Sequence, residues 1–171
     1  MGEETRWPHT AYLILGSNLG ARVDSLTKAR LACEEIGHVT AASSIYETEP
    51  WGVTDHPSYL NQVICLKTDL APGKLMSACL KIEKSMGRTR RSGVSPRTID
   101  LDILLYDNDI VEQKKVTIPH PRMHLRRFTL IPLAEIAPQV VHPGFELTIE
   151  ELLERCHDRS KVNIFERATA I

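Results

Sequence analysis

The sequence predicts an α+β fold in which two helices lie against one face of a mainly antiparallel sheet. Two observations carry that expectation. Short apolar runs of strand length alternate with two stretches of three- and four-residue apolar spacing, in the order strand, helix, strand, strand, helix, strand. With 171 residues, 42% of them hydrophobic, the chain can bury one substantial core but falls short of two ordinary domains. The order is the split βαβ pattern of a ferredoxin-like βαββαβ core, here followed by added C-terminal elements. Residues 1–10 are expected to be an N-terminal extension and residues 11–171 a single domain, with no internal repeat, low-complexity tract or linker to divide it.

Ala11-Tyr12-Leu13-Ile14-Leu15 is a continuous apolar run, as a strand buried on both faces requires. Gly16 is expected to stop it, and Gly16-Ser17-Asn18-Leu19-Gly20 to form the turn. From Arg22 to Ile36 the residues Val23, Leu26, Ala29, Cys33 and Ile36 mark one helical face, and Gly37 follows as a C-terminal stop. Val39 to Tyr46, rich in Thr, Ser and β-branched residues, is the second strand, and the third runs from Tyr59 to Thr68. Pro72 opens a second helix whose Leu75, Cys79, Ile82 and Met86 share a face before Gly87 ends it. From Thr98 to Tyr106, the residues Ile99, Leu101, Ile103 and Leu105 alternate with their neighbours, the strongest strand signal in the chain. A turn at Asp107-Asn108-Asp109, an edge strand from Val116 to Ile118, and a short helix capped by Thr148 and Glu151 complete the pattern; that helix carries Ile149, Leu152, Leu153 and Cys156. One face of the sheet is expected to stay free.

The formal net charge of -1 gives no overall attraction to nucleic acid or to an anionic membrane, so phosphate binding has to come from local clusters. Cys33, Cys65, Cys79 and Cys156 lie far apart among apolar neighbours, without the spacing of a zinc or redox motif, and are expected as buried thiols in a reducing compartment. The polar, acidic start from Met1 to Trp7 lacks the apolar stretch of a secretory signal, and no segment approaches membrane-spanning length. A cytoplasmic location is expected.

The sharpest chemical signal is Arg97-Thr98-Ile99-Asp100-Leu101-Asp102. Strand residues two apart point to the same face, so Asp100 and Asp102 sit side by side while Ile99, Leu101 and Ile103 turn to the core. Two carboxylates about 6 Å apart repel by roughly 2 to 3 kcal/mol at an effective dielectric near 20, a cost that a bound cation turns into attraction. Mg²⁺ suits such hard oxygen ligands and leaves its remaining positions to water and substrate phosphates. Taken alone, the pair is equally well explained as solvated acids matched to nearby arginines. Two basic clusters flank it: Arg88, Arg90, Arg91 and Arg97 on one side, and His120, Arg122, His124, Arg126 and Arg127 on the other. Arginines around a metal-binding carboxylate pair are what a polyphosphate requires, which points to phosphoryl transfer, where positioning and charge neutralisation do most of the work. The loop between Gly87 and Pro96 has little to anchor it and admits two readings, a lid that closes over ATP and a solvated basic loop, the commoner fate of such sequence.

Tyr59 and Asn61, two apart on a strand, offer a ring and an amide to a flat heterocycle; their bland alternative is core packing and a turn cap. There is no Walker loop, so ATP is held in another way. His120 and His124 have the spacing of helical metal ligands, with His142 as a third, but Pro119 and Pro121 remove the regular helix on which that spacing depends, and zinc is not expected. A competing function, single-stranded RNA binding on the free sheet face, needs exposed aromatic platforms. The strand from Thr98 to Tyr106 presents aspartates there instead.

Several segments occur together and in order: Leu15-Gly16-Ser17-Asn18-Leu19-Gly20, Ser44-Ile45-Tyr46-Glu47-Thr48, Tyr59-Leu60-Asn61, and Glu83 with Gly87-Arg88. Pro96-Arg97-Thr98-Ile99-Asp100-Leu101-Asp102-Ile103-Leu104 and Ile118-Pro119-His120-Pro121-Arg122-Met123 follow. From Ala11 to about Leu153 the chain thereby resembles the 6-hydroxymethyl-7,8-dihydropterin pyrophosphokinases of folate biosynthesis. The resemblance implies that Asp100 and Asp102 hold two Mg²⁺ ions bridging the phosphates of the co-substrate ATP, with Arg90 and Arg97 as catalytic partners. It implies that Glu83, Arg88, His120 and Arg126 also bind ATP, and that Lys115, Val116 and Thr117 meet adenine and ribose. The pterin would lie between Tyr59 and Phe128, with Asn61 at its pyrimidine edge and backbone groups of Thr48, Pro50 and Trp51 beside it. In that family the substrate hydroxyl attacks the β-phosphorus of ATP and AMP leaves. The implied partners are these small molecules and neighbouring folate-pathway enzymes, with no nucleic acid or membrane. A Mg²⁺-dependent phosphotransferase acting on another hydroxyl compound would keep the ATP residues and differ around Asn61. Glu49, Pro121 and the segment Arg91-Ser92-Gly93-Val94-Ser95 depart from the family pattern.

Overall fold

The computed structural model describes residues 6–49, 57–87, 98–169 and 171. In chain order the elements are β1 (His9–Ser17), α1 (Arg22–Cys33), β2 (His38–Ala42), β3 (Ile45–Thr48), β4 (Tyr59–Thr68), α2 (Pro72–Ser85), β5 (Asp100–Tyr106), β6 (Val111–Glu112), β7 (Thr117–Ile118), α3 (Arg127–Ile136), β8 (Val141–His142), β9 (Leu147–Thr148), α4 (Ile149–Arg155) and β10 (Val162–Glu166). The main sheet runs β10-β3-β4-β1-β5, with β2 also paired to β4, and every pairing in it is antiparallel. This is the ferredoxin-like order with an added edge strand.

Both core helices lie on one face. Leu26, Ala29 and Cys33 of α1 and Leu75, Cys79 and Ile82 of α2 bury against Leu13, Leu15, Ile64, Leu66, Leu101 and Ile103. Helix α1 ends at Cys33, three residues before the expected Ile36, because residues 34–36 tighten into a turn with Glu34 N–H on Leu31 O and Ile36 N–H on Cys33 O, each 3.1 Å. Gly37 is required by close approach: a Cβ there would run into the Lys67 carbonyl. Gly87 has φ +86°, the left-handed residue that ends α2. All four cysteines are buried free thiols.

The other face is not free, contrary to expectation. Met123, Leu130 and Leu133 from α3 and its approach, with Ile149 and Leu152 from α4 and Cys156 just past its end, cover Val63, Leu104 and Leu105. Leu105 reaches that face because the β1–β5 register shifts between Tyr12 and Leu13, which leaves Leu104 as an extra residue and breaks the alternation that holds from Leu101 to Ile103. The helix predicted around Thr148 is present as α4, with the Thr148 hydroxyl accepting the Glu151 N–H at 3.1 Å.

The second strand is broken at Ser43-Ser44 into β2 and β3. Side chains supply the bonds a ladder would have made: Ser43 Oγ accepts the Val63 N–H at 3.0 Å, and Gln62 Nε2 donates to Ser43 O at 2.8 Å. The Glu135 carboxylate of α3 takes the Ser44 N–H at 2.8 Å, the Ser44 hydroxyl at 2.7 Å and the Tyr46 hydroxyl at 2.9 Å. Burial, reinforced by that bond, pushes the Tyr46 phenol up to about 12.

Candidate active site

Residues directly opposed in an antiparallel pair share a face. Asp100 of β5 opposes Gly16 of β1, and Gly16 opposes Asn61 of β4; one row therefore runs Asp100, Gly16, Asn61 across three strands. The next row runs Asp102, Ile14, Val63, and Thr48 of β3 opposes Tyr59. Gly16 is thus a residue inside β1, not the end of it. A Cβ at Gly16 would lie 2.8 Å from Asn61 Oδ1, so the glycine makes the space in which the Asn61 amide rests.

A cavity of ≈ 580 Å³ opens over these rows, within the range usual for ligand sites. Its lining includes Gly16, Thr48, Glu49, Tyr59, Asn61, Asp100, Asp102, His120, Pro121, Arg122, Arg126, Phe128 and Thr129. Ile14, Leu104 and Thr129 also line it, and none of the three is among the residues expected at the site from sequence. The alternation of β1 signals Ile14, whereas Leu104 and Thr129 arrive through the β5 bulge and α3.

His120 Nδ1 accepts the Arg122 N–H at 3.1 Å, which leaves its proton on Nε2, 3.1 Å from Asp102 Oδ2. The Asp102 side chain remains 46% exposed, open to a ligand from the cavity. Arg126 is lowered from its ordinary range by burial and by Arg122, against the favourable charges of Asp102 and Asp100. Its guanidinium lies 5.5 Å from the Phe128 ring centroid. The start of α3, which carries Phe128 and directly follows Arg126, is tied down by Asp158, whose carboxylate accepts the Arg127 N–H at 2.9 Å.

Of the residues expected at the site, Thr48, Tyr59, Asn61, Asp100, Asp102, His120, Arg126 and Phe128 meet in one cavity. Glu83 does not line it. That carboxylate is buried on the helix side of the sheet and accepts the Leu101 N–H at 2.8 Å, holding the outer edge of β5 between the two aspartates. Lys115, Val116 and Thr117 also lie away from the lining. Val116 is buried in the core, its N–H and C=O exchanged with Gln113, and the strand expected there begins at Thr117 and pairs with β6 in a separate ribbon. His124 and His142 both pack on Phe145, at 4.6 and 4.7 Å, apart from His120 on Asp102. Pro50, Trp51, Arg88, Arg90 and Arg97, together with the candidate lid, lie outside the described residues.

Two carboxylates on one strand face, both open to a cavity that also holds an arginine, form a hard-oxygen donor set that fits Mg²⁺. A family model for 7,8-dihydro-6-hydroxymethylpterin-pyrophosphokinase (HPPK) matches residues 12–138, most of the chain. The chain belongs to the HPPK family. It is 40% identical over 157 residues to the 2-amino-4-hydroxy-6-hydroxymethyldihydropteridine pyrophosphokinase of Haemophilus influenzae, covering 91% of this chain and 98% of that one. Against the protein of the same description from Bacillus subtilis, identity is 45% over 132 residues, or 76% of this chain and 79% of the relative. Among solved structures, the wild-type Plasmodium falciparum HPPK-DHPS with pteroate superposes with a TM-score of 0.70 at 16% identity over 86% of this chain, a likeness of fold. This chain spans 42% of that longer protein. In HPPK terms, the family match takes in every cavity residue named above and ends before α4 and β10.

Proposed function

We infer that the cavity is where this HPPK performs its reaction, transfer of pyrophosphate from ATP to 6-hydroxymethyl-7,8-dihydropterin in folate biosynthesis. The observation that carries the reading is that the acid pair Asp100 and Asp102 shares one cavity with the ring and amide groups of Tyr59, Phe128 and Asn61.

In this reading the pterin lies between Tyr59 and Phe128, and the Asn61 amide, seated over Gly16, meets its donor and acceptor edge. Thr48 Oγ1 is buried in the same wall and has no hydrogen-bond partner among the described residues, so a polar ligand atom satisfies it. The triphosphate lies toward Asp102, where Arg126 offers a planar fork of donors to phosphate oxygens and His120 offers its Nε2 proton. Asp100 and Asp102 would hold Mg²⁺, two ions in our reading, and such ions supply neutralisation of phosphate charge and alignment for in-line displacement. Holding the hydroxymethyl arm beside the β-phosphorus converts a bimolecular encounter into an intramolecular one. AMP is the leaving group. The proposal extends to Pro50, Trp51, Arg88, Arg90 and Arg97 as the remaining pterin and phosphate contacts.

No helix among the described residues is long and apolar enough to cross a membrane. We place the enzyme in the cytoplasm with its small-molecule substrates. Association with neighbouring folate-pathway enzymes is also proposed, supported by the HPPK-DHPS chains of Plasmodium falciparum and by the 39% identity to the Schizosaccharomyces pombe folic acid synthesis protein fol1, of which this chain spans 20%. The test is Asp102→Ala, assayed for Mg²⁺-dependent AMP formation from ATP and the hydroxymethyl pterin. Activity is expected to fall by at least about 100-fold with the circular dichroism spectrum unchanged. Wild-type rates in the variant overturn the metal assignment.

A further inference from the structure

We propose that Asn18 and Arg22 are positioning residues for the pterin half of the site, a brace that fixes where β4 begins. The proposal rests on reading Tyr59 and Asn61 as pterin-binding residues.

The segment Gly16-Ser17-Asn18-Leu19-Gly20 leaves β1, turns at Gly20 with φ +70°, and delivers Arg22 as the first residue of α1. Asn18 is fully buried, and its Nδ2 donates to the Pro57 carbonyl at 3.5 Å. Arg22 Nη1 donates to the next carbonyl, Ser58 O, at 2.8 Å, and to Glu47 Oε2 at 3.1 Å. The guanidinium also lies 5.6 Å from the Phe165 ring of β10. One buried amide and one partly buried cation thus hold two successive carbonyls immediately before Tyr59.

What they hold matters for the cavity. Glu47 precedes Thr48, Ser58 precedes Tyr59, and Thr48 opposite Tyr59 is the terminal pair of the β3–β4 ladder. A terminal pair frays unless something outside the ladder secures both strands. Arg22 does so in one side chain, bonding β3 through Glu47 and the start of β4 through Ser58. None of Asn18, Arg22, Glu47 or Phe165 lines the cavity, so their effect on a ligand passes through Tyr59 and Thr48. Stacking depends on ring offset and separation, so displacing Tyr59 weakens its hold on a flat ligand. Phe165 lies beyond the family match at residues 12–138, so the C-terminal strand adds a third arm to the brace.

The experiment compares the full chain with Arg22→Met, Arg22→Lys and Asn18→Ala. Calorimetry with 6-hydroxymethyl-7,8-dihydropterin and, separately, with a methylene analogue of ATP and Mg²⁺ gives the two affinities, and steady-state kinetics gives KM for each substrate. Loss of both charge-assisted hydrogen bonds at Arg22→Met is expected to weaken pterin binding about tenfold and to raise its KM in step, with the affinity for the ATP analogue within about twofold. Arg22→Lys keeps the charge but cannot span both acceptors, and should recover about half of the loss on a logarithmic scale. Asn18→Ala should weaken the pterin about threefold, and it and Arg22→Lys carry the test if Arg22→Met does not fold. Equal losses of pterin and ATP affinity, tracking a fall in Tm, make the contacts merely structural and overturn the proposal. Pterin binding unchanged in the variants overturns the brace alone, whereas a wild-type chain that binds no pterin overturns the reading of the pocket and the brace with it.

Discussion

Gly16 sits between the acid pair and the amide that is read as meeting the pterin, and Gly16→Ala isolates that amide without touching a ligand group. The added Cβ would lie 2.8 Å from Asn61 Oδ1, and ordinary contact begins at 3.4 Å, so the Asn61 amide has to withdraw by about 0.6 Å. Asn61 is 6% exposed, with little room to retreat. Displacing it weakens two neutral hydrogen bonds of about 1 kcal/mol each, or roughly a 30-fold rise in pterin Kd. The strand itself gains, because alanine is about 0.5 to 1 kcal/mol better than glycine inside a strand. Pterin affinity should therefore fall while Tm holds or rises, a combination that general damage to the fold does not produce. Fluorescence titration of the pterin, with the ATP analogue as control, measures it. In the Asn61→Ala background, Gly16→Ala should cost almost nothing further, since the clashing atom is gone. Unchanged pterin affinity in Gly16→Ala, or full additivity in the double variant, refutes the reasoning.

Two further outcomes follow from the surroundings of the site. Glu83→Ala leaves the buried Leu101 N–H unpaired and should lower the unfolding free energy by about 1 to 3 kcal/mol in urea titrations. The His142 imidazole is held below its ordinary range by burial and by the charge of neighbouring His124. The unfolded chain therefore binds more protons than the folded one once pH falls through about 6.5; stability from this group is complete above that value and lost below it. In His142→Asn, whose amide oxygen can still accept the Gly144 and Phe145 N–H groups, the drop in urea midpoint between about pH 7.5 and pH 5.5 should shrink.

The parts of the fold that were legible in the sequence are those in which one periodicity runs unbroken. The faces of α1 and α2 and the pairing of Asp100 with Asp102 come straight from spacing, because helices and strands repeat every 3.6 and 2 residues. Gly16 misleads because a glycine ordinarily marks a turn, and only the register with β4 reveals that it lies beneath the Asn61 side chain. The break at Ser43-Ser44 is invisible locally, since its bonds go to Gln62, Val63 and Glu135, far along the chain. Helix α3 carries Pro132 in its interior, which argues against a helix, yet burial of Leu130 and Leu133 outweighs the lost backbone bond. Strand β10 exposes Ile164 and Phe165 and shows no clean alternation, so only its pairing with β3 defines it. In the site, the acids and the aromatic–amide pair were legible from strand parity, whereas the association of Arg126 and Phe128 with them depends on how α3 docks.

The central claim is that the paired acids on β5 face one cavity with the heterocycle site and bring a triphosphate to it. The most direct measurement is a crystal structure of the protein with Mg²⁺, a nonhydrolysable ATP analogue and the hydroxymethyl pterin. Metal density about 2.1 Å from carboxylate oxygens of both Asp100 and Asp102, with the ring between Tyr59 and Phe128, is the expected result. A bound triphosphate elsewhere, with no metal at Asp100 or Asp102 and His120 still on Asp102, contradicts it.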